Sequence, residues 1–251
     1  MDDSALLRYS RHVLLEELGV DAQERFSRAH ALVIGVGGLG APAAHFLAAA
    51  GVGTITLCDA DTVDLTNLQR QILYATPDIG HPKVAAANAR LNAINPDVRI
   101  ECVAQRVDDA ALATLVPGAD VVLDCSDNFA TRHAVNRACL AARKPLVSGA
   151  AVRFDGQVAV FDARDRDQPC YHCLFGQGDE LEETRCATMG VFAPLVGIIG
   201  AIQAAEALKL LAGAGESLAG RLLMLDALAM RWREVRIPRD PGCAVCAQRA
   251  C

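Results

Sequence analysis

Four cysteines stand in two C-x-x-C pairs, Cys170-Tyr-His-Cys173 and Cys243-Ala-Val-Cys246. A pair at this spacing can put two thiolates on one metal ion from a tight turn. Two such pairs complete a tetrahedral four-thiolate site with no open position, the arrangement of structural zinc. Pro169 and Pro241-Gly242 precede the pairs and suit rigid turns. The other reading, a redox dithiol, needs only one pair beside a helix N-terminus. A closed metal site offers substrate no coordination position, so it carries no catalytic part.

The second group with chemistry in it is the run HALVIGVGGLG, His30 to Gly40. Gly35, Gly37 and Gly40 have the G-x-G-x-x-G spacing of a nucleotide-binding turn between a strand and a helix. Glycine lets phosphate oxygens approach the backbone, and the helix N-terminus presents free N–H groups to the anion. The next apolar strand, Thr54 to Cys58, ends in Asp59. That acid lies about twenty residues past Gly40, the separation expected of a ribose-binding carboxylate. The motif does not choose between a dinucleotide and ATP.

The elements that must position these groups alternate along the chain. Ser4 reads as the N-cap of a helix to about Leu18, with Leu6, Leu7, Val13, Leu14 and Leu18 as its apolar face. Arg8, Arg11 and His12 leave that face and read as solvated. A short helix spans 21–28. Strands at 31–34, 54–58, 98–104, 121–125 and 145–148 alternate with helices at 38–50, 83–94, 110–115 and 129–142. Pro82 opens the helix at 83–94 and Asn95-Pro96 stops it. This alternation predicts a Rossmann-like, doubly wound, mostly parallel sheet. After Gly149 the pattern changes. Two strands around Asp155-Gly156 read as a hairpin, a long apolar helix spans 190–212, and late antiparallel strands fall at 221–226 and 230–237. No repeat or long linker divides the chain, so 1–251 reads as one domain. Its parts are N-terminal helices (1–28), a nucleotide-binding half (29–150) and a second, metal-bearing half (151–251).

Composition narrows the partners. The net charge is −6 and no long basic run occurs, which argues against nucleic acid. The N-terminus MDDSALLRYS has no apolar signal core. The most apolar stretch, 190–205, runs into Glu206 and Lys209 and reads as a buried core helix rather than a membrane span. Cys58, Cys102, Cys125 and Cys139 sit in apolar elements as small hydrophobes, so a reduced, cytoplasmic compartment is expected.

Longer motifs now join up. LLRYSRH (6–12), GVGGLG (35–40), LCDADTVDLTNLQRQ (57–71), GHPKV (80–84), LDCSDN (123–128), PLVSGA (145–150), PCYHC (169–173), GVFAPLVGIIGAIQAAEALK (190–209) and PGCAVC (241–246) occur in order. Together they resemble the ThiF/MoeB/HesA adenylyltransferases, bacterial relatives of ubiquitin-activating enzymes, with the MoeB type nearest. The resemblance covers nearly the whole chain. It implies ATP-dependent adenylation of the C-terminal Gly-Gly of a small ubiquitin-fold sulfur carrier of MoaD or ThiS type. It implies phosphate binding at Gly38 and ribose binding at Asp59. Thr66, Asn67, Leu68, Gln69, Arg70 and Lys83 would line the triphosphate. Asp127 would position Mg2+, with Asn128 beside it. Arg11 would cross to the nucleotide of the other subunit in a homodimer, so the resemblance revises its solvated reading. The apolar helix 190–212 exceeds what one face needs and is expected to add dimer surface. Zn2+ would be structural, one per chain, on Cys170, Cys173, Cys243 and Cys246. Cys186, in a polar stretch, reads equally as a loop thiol or as an acyl or sulfur acceptor. Two other functions share part of the pattern: an NAD-dependent oxidoreductase, and a carrier-binding adaptor without catalysis. The first does not explain TNLQR, Lys83, SDN or the cysteine pairs, and the second should have lost the phosphate-handling residues, yet Arg11, Arg70, Lys83 and Asp127 are all present.

Overall fold

Apolar runs of four or five residues, too short for helices, become the central strands. They are β1 (His30–Ile34), β2 (Thr54–Cys58) and β4 (Val121–Asp124), while β3 (Arg99–Val103), which carries Arg99 and Glu101 and is more exposed, forms the edge of the sheet. The computed structural model describes residues 1–176 and 189–247. The polar stretch after Gly176, including Cys186, lies outside the described residues. β5 (Pro145–Val152), β6 (Asp155–Asp162), β7 (Arg221–Asp226) and β8 (Arg231–Arg236) extend the sheet to eight strands, in the order β3-β2-β1-β4-β5-β6-β7-β8. Neighbours from β3 to β5 are parallel, and from β5 to β8 antiparallel. β5 belongs to both halves.

Alternate residues of each strand feed two cores, as the two-residue period requires. Ala31, Val33, Leu123 and Val147 face one layer, built with α4 (Gly40–Ala49), α5 (Lys83–Ile94) and α9 (Ala193–Ala212). Leu32, Ile34, Val122 and Leu146 face the other, built with α6 (Asp109–Leu115), α7 (Phe129–Ala142) and α8 (Tyr171–Leu174). The doubly wound expectation is met. α9 is long and apolar enough to cross a membrane by length and composition alone. It packs on α4 and β5 instead, with Leu195, Ile199, Ala204 and Ala207 fully buried. Burying Leu195 and Ile199 contributes roughly 1.5–3 kcal/mol each.

Two expectations are corrected. The single N-terminal helix is broken into α1 (Asp3–Arg8) and α2 (Ser10–Val13), followed by α3 (Gly19–Arg28). Asp2, not Ser4, caps α1, its Oδ1 accepting the Ala5 N–H at 2.8 Å. The break falls at Tyr9, which turns inward so that its hydroxyl accepts a hydrogen bond from Asn95 Nδ2 at 2.8 Å. Arg8 follows it and donates to the Ile94 carbonyl at 3.1 Å. The docked tyrosine, not the leucines, decides which side faces the protein. Leu7 and Leu14 of the expected apolar face are 79% and 74% exposed.

The hairpin also turns two residues early, at Arg153-Phe154, because Val152 pairs with Asp155. Arg153 supplies the positive φ of 53° that the turn needs. Gly156 serves packing rather than the turn. A Cβ there would lie 2.7 Å from both Leu195 Cδ1 and Ile199 Cδ1 of α9.

Candidate nucleotide cleft and cysteine cluster

The glycine turn leaves β1 at the C-terminal edge of the parallel strands, where ligands of open α/β sheets bind. Gly35 has φ 86°, and a Cβ there would lie 2.8 Å from the Cys125 carbonyl oxygen. A Cβ on Gly40 would come within 1.9 Å of the Gly35 carbonyl oxygen, so the helix can start this close to the strand only with glycine. Between them the turn is held from both sides. Asp59 Oδ2 accepts the Val36 N–H at 2.8 Å, and the Tyr74 hydroxyl donates to the Val36 carbonyl at 2.7 Å. Asp59 Oδ1 accepts the Asp61 N–H at 2.9 Å. Gly37 is uncrowded: an added Cβ would make only an ordinary contact, 3.6 Å from Gln71 Nε2. Gln71 is buried, and its Oε1 has no hydrogen-bond partner among the described residues. This is a cradle in which an oxyanion can reach backbone N–H groups.

The segment after Asp59 is polar but ordered by its own side chains. Asp64 caps a short 3-10 turn, Leu65–Asn67: it accepts the Thr66 N–H at 2.8 Å, while Asn67 Oδ1 accepts the Asp64 N–H at 3.1 Å. The Thr66 hydroxyl and N–H hold the Asp64 carboxyl below its ordinary range. Arg70 is oriented by a 2.9 Å bond to the Thr66 carbonyl. Thr66 and Gln69 are exposed; Asn67, Leu68 and Arg70 are half-buried.

Lys83, the first residue of α5, is buried. Its Nζ lies 2.8 Å from Asp61 Oδ2, and its N–H donates to the Asp61 carbonyl at 2.9 Å. A buried ammonium needs such a partner. Asp61 was not singled out from the sequence, although a buried lysine beside an acidic run would have pointed to it.

The LDCSDN motif forms the loop beyond β4. Asp127 is exposed, and Asn128 caps α7 by accepting the Thr131 N–H at 2.8 Å. Behind them Asp124 is fully buried. It accepts the Ser126 N–H at 3.0 Å, the Ser126 hydroxyl at 2.6 Å and the Ser148 hydroxyl at 3.2 Å. Burial pushes its carboxyl up, against the pull of Arg132 and these donors. Gln203 of α9 donates to the Asp124 carbonyl at 2.8 Å and the Val147 carbonyl at 3.2 Å, tying the ends of β4 and β5 together. Sequence reasoning passed over Asp124, Arg132 and Gln203.

The fold thus gathers the glycine turn, Asp59, Lys83 and the Asp127 loop along one sheet edge. It does not bring Arg11 there. Arg11 is exposed on α2 and makes no hydrogen bond or ion pair among the described residues. Two residues away, Tyr9 docks at Gly51 and Asn95, beyond the C-terminal end of α4. The glycine turn lies at the other end of that helix, about 15 Å away for its ten residues.

The second site lies on the α7 side of the sheet. Cys170 Sγ is 3.9 Å from Cys173 Sγ and 3.7 Å from Cys243 Sγ, and Cys173 Sγ is 3.5 Å from Cys246 Sγ. All four sulfurs lie within 4.8 Å of one another. Cys170, Cys243 and Cys246 are buried. Burial and the neighbouring Cys173 push the Cys170 thiol up to about 11. The cluster is arranged to hold one metal ion. Tyr171, between the first two cysteines, donates its N–H to Asn136 Oδ1 of α7 at 3.0 Å.

The ThiF family matches residues 9–245. Molybdopterin-synthase adenylyltransferase of Escherichia coli (strain K12) is 46% identical over 251 residues, 99% of either chain. Sulfur carrier protein ThiS adenylyltransferase of the same organism is 46% identical, over 98% of this chain and 97% of its own. Among solved structures, E. coli MccB with ATP superposes with a TM-score of 0.84 at 25% identity, over 95% of this chain and 73% of that one.

Proposed function

The chain belongs to the ThiF family, and on that premise we propose that it adenylates the C-terminal Gly-Gly carboxylate of a small ubiquitin-fold sulfur carrier. The observation that carries this reading is the full-length match to two enzymes named for adenylating such carriers. The cleft supports it residue by residue. The carrier's terminal carboxylate oxygen attacks the α-phosphorus of ATP. The bond from that phosphorus to its bridging oxygen breaks, and pyrophosphate leaves with the electron pair. The work of the protein is to gather charge and align the attack. Backbone N–H groups around Gly38 bind phosphate, and Asp59, already fixed by Val36 and Asp61, accepts from the ribose. Asn67 and Arg70, with Thr66, Leu68 and Gln69 around them, follow the triphosphate. Lys83 adds charge, aimed by Asp61. Asp127 is the residue that would hold Mg2+, with Asn128 at its side; the ion would supply positive charge to neutralise the phosphates.

The active form in this reading is a homodimer. The leucines left exposed on the N-terminal helices are surface that a second copy would cover. The separation of Arg11 from its own glycine turn fits a role at the partner's nucleotide. The four thiolates are the donor set of structural zinc. Their closest sulfur separations lie near the ~3.8 Å edge of a tetrahedron with ~2.3 Å zinc–sulfur bonds. The division at residues 28 and 150 is kept, with the second half receiving the carrier, and the compartment is cytoplasmic.

The test is pyrophosphate release on mixing the protein, ATP and each candidate carrier. Release that requires a carrier ending in Gly-Gly, and stops when that terminus is truncated, is expected. Carrier-independent turnover or none, or reduction of NAD in its place, would overturn the reading.

A further inference from the structure

Asp127 is the exposed member of a loop whose neighbours are tied down. Every polar atom of Ser126, the residue before it, is held. The N–H and the hydroxyl both donate to Asp124 Oδ1, at 3.0 and 2.6 Å. The carbonyl accepts from Arg132 Nη2 at 2.9 Å. On the other side, Asn128 is fixed as the cap of α7. The clamp is itself anchored. Asp124 is fixed through its carbonyl by Gln203 and through its second carboxylate oxygen by Ser148. Arg132 lies over the Phe129 ring, 5.7 Å from its centroid, and beside Tyr171.

A fully buried carboxylate and a half-buried guanidinium are costly unless their bonds are made. Both charges converge on one residue, holding the peptide bonds on either side of it. Ser126 carries no chemistry of its own; its neighbour Asp127 does, in the function proposed above. We propose that Asp124 and Arg132 are positioning residues: by gripping Ser126 from both faces they fix the direction in which Asp127 presents its carboxylate to the divalent ion on the nucleotide. The inference rests on the assignment of Asp127 to that ion. Groups that orient a ligating carboxylate are worth about 10–100-fold in metal affinity.

Arg132→Lys keeps the charge but loses the planar fork that reaches the Ser126 carbonyl. Asp124→Asn keeps the shape but replaces an acceptor oxygen with an N–H donor. Each variant, with Asp127→Ala and wild type, is titrated with Mn2+ in the presence of a non-hydrolysable ATP analogue, and bound Mn2+ is read by electron paramagnetic resonance. Affinity for the analogue is measured in parallel without a divalent ion, since metal and nucleotide affinities are linked when both are present. The expected result is Mn2+ binding weakened at least about tenfold in both clamp variants, with analogue affinity near wild type. A merely structural role would instead lower both affinities together. If either clamp variant fails to fold, Ser126→Ala removes the hydroxyl bond to Asp124 alone and is expected to weaken Mn2+ in the same selective way. Should Asp127→Ala abolish Mn2+ binding while the folded clamp variants bind it normally, the clamp is overturned and the assignment of Asp127 stands. Should Asp127→Ala itself bind Mn2+ normally, the assignment falls and the clamp falls with it.

Discussion

Asp59 reaches back across the sheet edge to Val36, its Oδ2 2.8 Å from the backbone nitrogen. One carboxylate therefore holds the glycine turn and, in the function proposed above, also serves the ribose. Asp59→Ala should show both losses. It strands the Val36 and Asp61 N–H groups, at about 1–3 kcal/mol for each one left buried. It should also weaken ATP by roughly 1.5–3 kcal/mol as a charged hydrogen bond disappears. Denaturant unfolding and nucleotide titration measure the two separately. An unchanged stability would mean that the turn does not depend on this acid.

The glycines of the turn should separate by function. At Gly40 an added Cβ meets the Gly35 carbonyl oxygen at 1.9 Å, so Gly40→Ala must move backbone and should cost about 3 kcal/mol or more. At Gly37 the nearest atom is a side-chain amide at 3.6 Å. Gly37→Ala should therefore fold normally and lose ATP affinity, because the methyl occupies the space left for phosphate. Equal stabilities for the two variants would contradict this account.

Metal analysis should find one zinc per chain. Cys243→Ser should lose the metal and with it much stability, since structural zinc contributes about 10–16 kcal/mol in small peptides. A metal-free wild-type protein with the same unfolding midpoint would refute the assignment.

Arg11→Ala should leave a dimer without activity, a guanidinium to the triphosphate being absent. Mixing it with Asp127→Ala tests where the arginine acts. If Arg11 serves the partner's site, a mixed dimer has one site with both defects and one with neither. Activity should then return, to about half of wild type per heterodimer. Demonstrated heterodimers that stay inactive would place Arg11 in its own subunit's site.

The parts of this architecture that were legible in the sequence are those whose signal is local. The glycine turn, both cysteine pairs and the strand–helix alternation carry their own spacing, and the structure reproduces them. The errors came where a distant partner overrides a local preference. Tyr9 breaks a helix because Asn95, far along the chain, offers its hydroxyl a donor. Gly156 imitates a turn residue but answers to Leu195 and Ile199. Asp124, Arg132 and Gln203 escaped notice because an acid, an arginine and a glutamine in apolar elements mean nothing until the sheet edge and α9 converge on them.

The cysteine cluster also sets an order of events during synthesis. Cys170 and Cys243 are 73 positions apart, and everything from α9 to β8 lies between the two pairs. At about 5–20 residues per second, the first pair waits about 4–15 s for the second. By then all five strands of the parallel half have left the ribosome. Capture of an ion there would therefore be a closing event: a half-built, two-thiol site is carried through the growth of the C-terminal half, and a metal would join the two ends of a segment already long enough to fold.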